Sequence, residues 1–529
     1  MTVLNHFPAI VPVVEENFYE YFNQITANFG HKIALVDPKT MKCLTFSEVT
    51  KRSQDILDAL IRLGVQRGDF IGTLVNNSSD YIVFVLAVTG LGASLVPLNP
   101  SYKPYEIDKC VHKVAIQWLL TENMFVENIK KIKANIRAKK MFQAFIFFSS
   151  GTTGPPKAIS IDHRALIANI ELLRYTSFYI FTAQACSKFG KYQMANITDR
   201  DVAYGVLPYF HAGGMLTVLG LLGLGVCVIV NGRYDNEGFL ATLKKHKVSV
   251  LQFHNTPFFI FYTQVTIALL VPSVMKSLVS TLRSISQSFF FLKYIFVGSA
   301  QVKKSLIESM KYLLPTTNII QLYGTTEAGA FVFMQPLDSV GKSESCGILL
   351  PNVKCKITNI SNNEECQVME VGEIWLQTAT MMRRYLEKSS ENNSNFSVNG
   401  WFRTGDLGYY DSDNFMYITG RIKEMIKVRG WQVSPYEIEE AIQELKEVQF
   451  CAVIGVPDEL SGELPMAYIQ LQDGAELDKN TIHELVKGKF ASYKQLKGGI
   501  EFISKMPLTT TNKVARNKLR DMNMQKNSY

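Results

Sequence analysis

Cysteine is sparse in this chain of 529 residues: eight are scattered from Cys43 to Cys451, and none forms a Cys-x-x-Cys pair. That excludes a dense disulfide framework and a zinc ribbon, and it points to a reducing compartment. Long apolar runs are missing too. The longest, Leu216–Val230, has 15 residues with three internal glycines. It is too short to cross a bilayer and reads as buried core. A large excess of one charge is absent: 55 Lys and Arg stand against 47 Asp and Glu, a net +8, too mild over this length for a nucleic-acid binder. The N-terminal stretch has no basic segment and meets Glu15 and Glu16 early, so no signal peptide is expected. The closing Asn527-Ser528-Tyr529 is not a Ser-Lys-Leu peroxisomal address. Neither an internal repeat nor a low-complexity linker is present. These absences lead to the expectation of an intracellular protein, cytoplasmic or peroxisomal, without a transmembrane segment. The sequence is silent on oligomeric state.

What is present is core-forming material. Hydrophobic residues make up 47% and charged residues 19%, which rules out global disorder, and the length suggests about three or four folding units. The pattern alternates helices with short apolar strands, as in an α/β protein with mostly parallel sheets. A helix is expected after Thr45, with Glu48 close behind, and strands over Phe70–Val75 and Ser94–Pro100. Asn128–Lys140 carries six basic residues and no acid, the pattern of a solvated helix face. Beyond Gly420 the texture changes to shorter strands and small helices. A boundary is expected near Tyr417–Ile422, dividing residues 1–420 from a compact α+β tail, 421–529.

The first chemistry-bearing segment follows an apolar strand, Phe145–Phe148. It reads Ser149-Ser150-Gly151-Thr152-Thr153-Gly154-Pro155-Pro156-Lys157. Two glycines, four hydroxyls and a lysine on one loop suit phosphate, although an ordinary surface turn has the same letters. A P-loop is excluded: Pro156 stands where its second glycine belongs, and Ala158 follows the lysine in place of a hydroxyl. Another short strand, Ala158–Ile161, comes next, then a helix capped by Asp162. The loop should therefore cover a nucleotide as a flap between strands.

Further motifs follow in order: VLPYFHAGG (Val206–Gly214), IFVGSA (Ile295–Ala300), YGTTE (Tyr323–Glu327), GEIWLQT (Gly372–Thr378), WFRTGDLGYYD (Trp401–Asp411), GRIKEMIKVRGWQVSPYEIE (Gly420–Glu439) and PLTTTNK (Pro507–Lys513). With the phosphate loop, this series resembles the adenylate-forming enzymes, which include acyl-CoA synthetases, 4-coumarate–CoA ligases and firefly-type luciferases. The resemblance spans nearly the whole chain. It implies an α/β fold: a large N-terminal part of two doubly wound subdomains and a distorted β-barrel, closed over by a small mobile α+β C-terminal domain. It implies a two-step reaction, in which a carboxylic acid attacks the α-phosphorus of Mg²⁺-ATP and the acyl adenylate then passes to the thiol of CoA.

The same resemblance assigns residues. Ser149, Ser150, Gly151, Thr152, Thr153, Gly154 and Lys157 would cradle the departing pyrophosphate. Glu327 would ligate magnesium, as a hard carboxylate oxygen suits that ion, and Thr326 would touch the α-phosphate, although Thr326-Glu327 alone reads as a helix start. Tyr323 would lie against adenine, with Gly324 and Thr325 beside the nucleotide. Asp406 would take both ribose hydroxyls, which one carboxylate can do, and Arg421 would make a second ribose contact. His211, Gly298, Ser299 and Ala300 would line the acyl pocket. Lys513 would bridge carboxylate and α-phosphate during adenylation. Lys423 would be the hinge, and rotation about it would present Lys427, Gly430 and Trp431 to CoA.

Two departures stand out. Asn512 occupies a position where the family has glycine; Asn is the residue that best tolerates positive φ after glycine. From Pro100 to Ser149 inclusive there are only 50 residues, fewer than the family usually has. Two alternatives therefore stay open: a luciferase-like monooxygenase on the same fold, and a catalytically impaired nucleotide-binding homologue. Phe210, Gly213, Phe253 and His254 suggest an apolar, partly aromatic slot for a fatty or aryl acid.

Overall fold

Thr45 opens the first long helix, Phe46–Arg62, as the capping box with Glu48 promises: each side chain bonds the other residue's backbone N–H. The computed structural model describes residues 16–38, 40, 42–132, 144–148, 157–182, 193–232, 238–239, 265–284, 291–300, 302–329, 331–386, 396, 399–429, 431–509 and 513–526. The basic run 128–140 is described only as far as residue 132; the short helix Val126–Ile129 ends within it.

Two sheets carry the large part. The first runs, edge to edge, through Ile348–Leu349, Phe333–Met334, Asn318–Tyr323, Tyr294–Val297, Ile267–Leu270, Val202–Gly205, Cys227–Val230, Ile33–Val36 and Cys43–Thr45. Its six central strands are parallel. They read as short continuous apolar runs because both faces are covered. From Val202–Gly205 the chain moves to Cys227–Val230 on one side, then to Ile267–Leu270 on the other. That reversal opens a crevice beyond the strands' C-terminal ends, where α/β sheets bind ligands. The apolar run from Leu216 is core, as expected: it folds as the end of helix Ala212–Gly223 and strand Cys227–Val230, and nearly all of it is buried.

The second sheet orders Arg384–Tyr385, Ala158–Ile161, Phe145–Phe148, Ser94–Pro97, Phe70–Leu74 and Trp118–Thr121. Phe145–Phe148 and Ala158–Ile161 are antiparallel neighbours, Phe148 opposite Ala158, so the strand–flap–strand reading of this region holds at its flanks. Asp162 accepts from the Ala165 N–H at 2.9 Å and starts helix His163–Thr182. A third sheet is antiparallel: Val353–Thr358, Gly372–Thr378, Phe402–Tyr410 and Met416–Arg421. A bridge between Gly347 and Met416 joins it to the first sheet's edge.

The tail has its own sheet, Trp431–Val433, Ile426–Val428, Gly462–Leu471 and Val448–Asp458, with Gly499–Phe502 alongside. Helices Pro435–Gln443, Lys479–Lys489 and Arg516–Lys526 complete it, around apolar cores of its own. Two lysines of the large part reach it. Lys303 Nζ donates to the Gln443 carbonyl at 3.3 Å, at the C-terminus of Pro435–Gln443, and Lys276 Nζ donates to the Gln449 carbonyl. Burial pushes both amines below their ordinary value, Lys303 to about 8.

Candidate active site

Three of the sequence motifs leave the C-terminal ends of three parallel strands in one sheet. Val202–Gly205 leads to His211, Tyr294–Val297 to Gly298, Ser299 and Ala300, and Asn318–Tyr323 to Gly324, Thr325, Thr326 and Glu327. The topology, and not sequence proximity, brings them to one crevice. His211 caps helix Ala212–Gly223: its Nδ1 accepts from the Gly213 N–H at 3.2 Å. Burial, aided by the charge of Lys513, lowers its pKa to about 4. The ring is therefore neutral near pH 7, with its proton on Nε2. Gly214 is needed here, because a Cβ would meet the Pro208 carbonyl at 2.2 Å. Ser299 and Ala300 are exposed at the strand end, Ser299 with a left-handed φ of 73°.

Thr325–Gly329 is a turn and not the helix start that Thr326-Glu327 suggests in isolation. The Thr325 hydroxyl accepts from the Ala328 N–H at 3.1 Å. The chain then needs φ of +81° at Gly329, packed so closely on Thr380 that a Cβ would lie 2.3 Å from its carbonyl oxygen. A helix cannot continue through that point.

Asp406 and Arg421 lie opposite each other on neighbouring strands. Asp406 is 2% exposed. Its Oδ1 stands 2.6 Å from Arg421 Nε, and its Oδ2 accepts from the Tyr323 hydroxyl at 2.6 Å. Asp406 is the main reason the Arg421 pKa is raised. Burial, then Asp406, raises that of Tyr323. The Tyr323 ring tilts against Phe333, centroids 5.9 Å apart.

Glu327 accepts from the Tyr385 hydroxyl at 3.1 Å through Oε1. Its other oxygen makes no hydrogen bond among the described residues. Lys157 Nζ sits 4.9 Å from the centroid of the same tyrosine ring. No cluster of three or more His, Cys, Asp or Glu forms a metal cage among the described residues. One carboxylate with an open oxygen fits magnesium bound chiefly through phosphate and water.

Lys513 comes from the tail. It is paired with Thr509, whose N–H donates to the Lys513 carbonyl (2.6 Å) and whose hydroxyl accepts from the Lys513 N–H (3.1 Å). Burial, then the Arg421 charge, pushes its amine down to about 8, against the opposing pull of Asp406, Glu424 and Glu327. The lysine thus faces residues from both parts of the chain. A buried network sets Arg516, three residues on, against the turn Ile422–Glu424, which contains Lys423. Arg516 meets Glu439 at 2.5 and 3.1 Å and Glu424 at 3.2 Å, and Tyr436 donates to Glu424 at 2.7 Å. Lys427 and Trp431, on a separate hairpin, are exposed; Trp431 stacks on Tyr493 at 4.9 Å.

Ser149, Ser150, Gly151, Thr152, Thr153, Gly154, Gly430 and Asn512, with the wall residues Phe253 and His254, lie outside the described residues. Tyr385, Glu424 and Arg516 were not legible as site residues. Tyr385 sits in MMRRYLEK without any local phosphate or metal signature, and only the pairing of its strand with Ala158–Ile161 brings it to the crevice.

A crevice that gathers lysines, an arginine and two separate carboxylates is built for a polyanionic substrate. The family model described as "AMP-binding enzyme" matches residues 22–143 and 137–386, and "AMP-binding enzyme C-terminal domain" matches 437–513. The chain belongs to the AMP-binding enzyme family. The two ranges of the first model overlap at 137–143, just ahead of strand Phe145–Phe148. A probable CoA ligase of Humulus lupulus is 27% identical over 92% of this chain and 90% of its own. 4-Coumarate–CoA ligase 3 of Oryza sativa subsp. japonica is 26% identical over 95% and 91%. In fold, the chain resembles ATP-bound MatB of Rhodopseudomonas palustris, with a TM-score of 0.82 and 22% identity over 96% of this chain and 98% of that one. It is an enzyme of the AMP-forming acid–thiol ligase class, with the expected large N-terminal and small C-terminal parts. Among the described residues no helix is long and apolar enough to cross a membrane.

Proposed function

We propose that the chain activates a fatty or aryl carboxylic acid with Mg²⁺-ATP and transfers the acyl group to CoA. One observation supports the reading of the first step: the Lys513 amine of the tail feels the charges of Glu327 and Asp406 of the large part, with Arg421 of the tail beside them. A carboxylate approaching a triphosphate is repelled, so the site must neutralise charge and align the reactants. The acid's oxygen attacks the α-phosphorus, the bond to the β-phosphate bridge breaks, and pyrophosphate leaves. Lys513 draws the carboxylate and α-phosphate together, and Thr326 donates to that phosphate. Asp406 accepts from the ribose hydroxyls while Arg421 holds Asp406 in place, and Tyr323 with Gly324 and Thr325 borders the base. Ser149 to Gly154 and Lys157 receive pyrophosphate. Magnesium held by Glu327 would spread the phosphates' negative charge. His211 donates through Nε2 to the acid, near Gly298, Ser299 and Ala300.

In the second step the CoA sulfur attacks the acyl carbon, AMP leaves, and the thiol proton passes to solvent. Lys427 and Trp431, exposed on their hairpin, would guide CoA together with Gly430 after rotation at Lys423, with residues 421–529 moving as the small domain. We place the enzyme inside the cell, cytoplasmic or peroxisomal; the seven described cysteines are all free thiols, in keeping with a reducing compartment. Pyrophosphate release with a panel of fatty and aryl acids, with and without CoA, tests this function. Release with none of the acids would overturn it.

Two outcomes follow for the charges. Glu327→Gln keeps the shape but loses the charge, so the Mg²⁺ needed for half-maximal pyrophosphate release is expected to rise at least about tenfold. An unchanged Mg²⁺ titration would make Glu327 structural. For Lys513, only the ammonium can bridge two anions, and its amine stands at about 8. kcat/KM for ATP reports the free enzyme, so it is expected to fall as pH rises through about 8. Lys513→Arg, whose guanidinium stays charged, should flatten that limb even at reduced overall rate. An alkaline limb identical in wild type and variant would remove Lys513 as its source.

A further inference from the structure

Tyr385 is 3% exposed and sits on the two-residue strand Arg384–Tyr385 at the edge of the second sheet. It stands opposite Ile159, two positions beyond Lys157. The backbone around it ties two elements together. The Leu386 N–H donates to the Ala158 carbonyl at 3.0 Å, immediately after Lys157, and the Met382 N–H donates to the Glu327 carbonyl at 2.7 Å. The Thr380 hydroxyl adds a bond to the Ala328 carbonyl at 2.6 Å. Segment 380–386 therefore laces the turn bearing Glu327 to the strand that Lys157 enters.

The Tyr385 side chain repeats that link. One face of its ring lies under the Lys157 ammonium, at 4.9 Å, and its hydroxyl donates to Glu327 Oε1, at 3.1 Å. A phenyl ring could serve the ammonium, because the attraction comes from the ring's quadrupole. Only the hydroxyl can fix the carboxylate. With Oε1 accepting from Tyr385, the carboxylate is held from one side, and Oε2 makes no hydrogen bond among the described residues. Hard-cation sites depend on such outer hydrogen bonds to orient a ligating carboxylate.

We propose that Tyr385 is a positioning residue for Mg²⁺-ATP, setting the Glu327 carboxylate through its hydroxyl and the Lys157 ammonium through its ring. The proposal rests on the reading of Glu327 as the metal-facing carboxylate and Lys157 as the pyrophosphate-facing cation. It divides the side chain into two separable functions. The hydroxyl governs the metal requirement, and the ring governs how firmly the leaving pyrophosphate is held.

The test uses the full-length enzyme and three variants, Tyr385→Phe, Tyr385→Leu and Glu327→Gln. ATP binding is followed by calorimetry across a Mg²⁺ series, beside steady-state pyrophosphate release. Tyr385→Phe is expected to raise the Mg²⁺ midpoint of both measurements about tenfold, while ATP binding without metal and inhibition by pyrophosphate stay as in wild type. Tyr385→Leu is expected to raise the midpoint equally and, in addition, to weaken pyrophosphate inhibition severalfold. Adding Tyr385→Phe to Glu327→Gln should cause no further shift, since the hydroxyl acts through that carboxylate. If Glu327→Gln moves the midpoint and Tyr385→Phe does not, the positioning function is overturned while the metal site stands. If neither moves it, the metal reading of Glu327 has failed and the proposal falls with it.

Discussion

Lys513→Ala is expected to cut acid-dependent pyrophosphate release by about 10²–10³-fold while thioester formation from a supplied acyl adenylate stays near wild type. The asymmetry is the informative part. The Lys513 amine feels the charges of Glu327, Asp406 and Arg421, whereas Lys427 and Trp431 stand exposed on a hairpin of the tail. If Lys513 and that hairpin serve the two half-reactions in turn, removing the amine harms only the first. Burial, then the Arg421 charge, lowers its amine to about 8, and an arriving carboxylate and phosphate would favour its charged form. Measuring both half-reactions on the same preparation provides the check. Equal losses in the two would sink the division of labour.

Asp406→Ala is expected to weaken ATP binding by about 100-fold, from the loss of two hydrogen bonds to a charged acceptor. The Mg²⁺ dependence at saturating ATP should stay near wild type, because Asp406 and Glu327 would meet different partners: hydroxyl donors and a hard cation. The variant also strips Tyr323 of its acceptor and Arg421 of its ion pair, so Asp406→Asn is the milder companion. Calorimetric ATP affinity and a Mg²⁺ titration of pyrophosphate release separate the two carboxylates. A shift of the Mg²⁺ midpoint without loss of ATP affinity would reverse their assignments.

Local chemistry made much of the fold legible. The Thr45–Glu48 capping box and the Asp162 cap announce their helices within four residues, and Phe145–Phe148 and Ala158–Ile161 announce strands by apolar continuity. The order of the motifs indicated the architecture beyond that. Thr326-Glu327 misleads in isolation, because the turn ends in a left-handed φ at Gly329, where Thr380, more than fifty residues on, leaves no room for a side chain. The Tyr323 hydroxyl bond to Asp406 spans 83 positions, and the Arg516 pair with Glu424 spans 92. Such partners have no signature at either end. Tyr385 is the extreme case: its chemistry exists only where an edge strand, a turn and a lysine meet.

The two lysines that grasp carbonyls of the tail, Lys276 and Lys303, give that seating a built-in reluctance. Each hydrogen bond holds the tail, yet each ammonium has surrendered water to make it, and Lys303 is further unsettled by the charge of Lys276 beside it. Were the tail to lift, as the proposed cycle requires, both cations would rehydrate, so the bonds lost would be offset at the moment they break. A clasp of this kind holds position without depth. A neutral residue seated equally well would hold the tail harder. An enzyme whose proposed cycle needs the tail to depart and return for every acyl group is better served by the weaker grip.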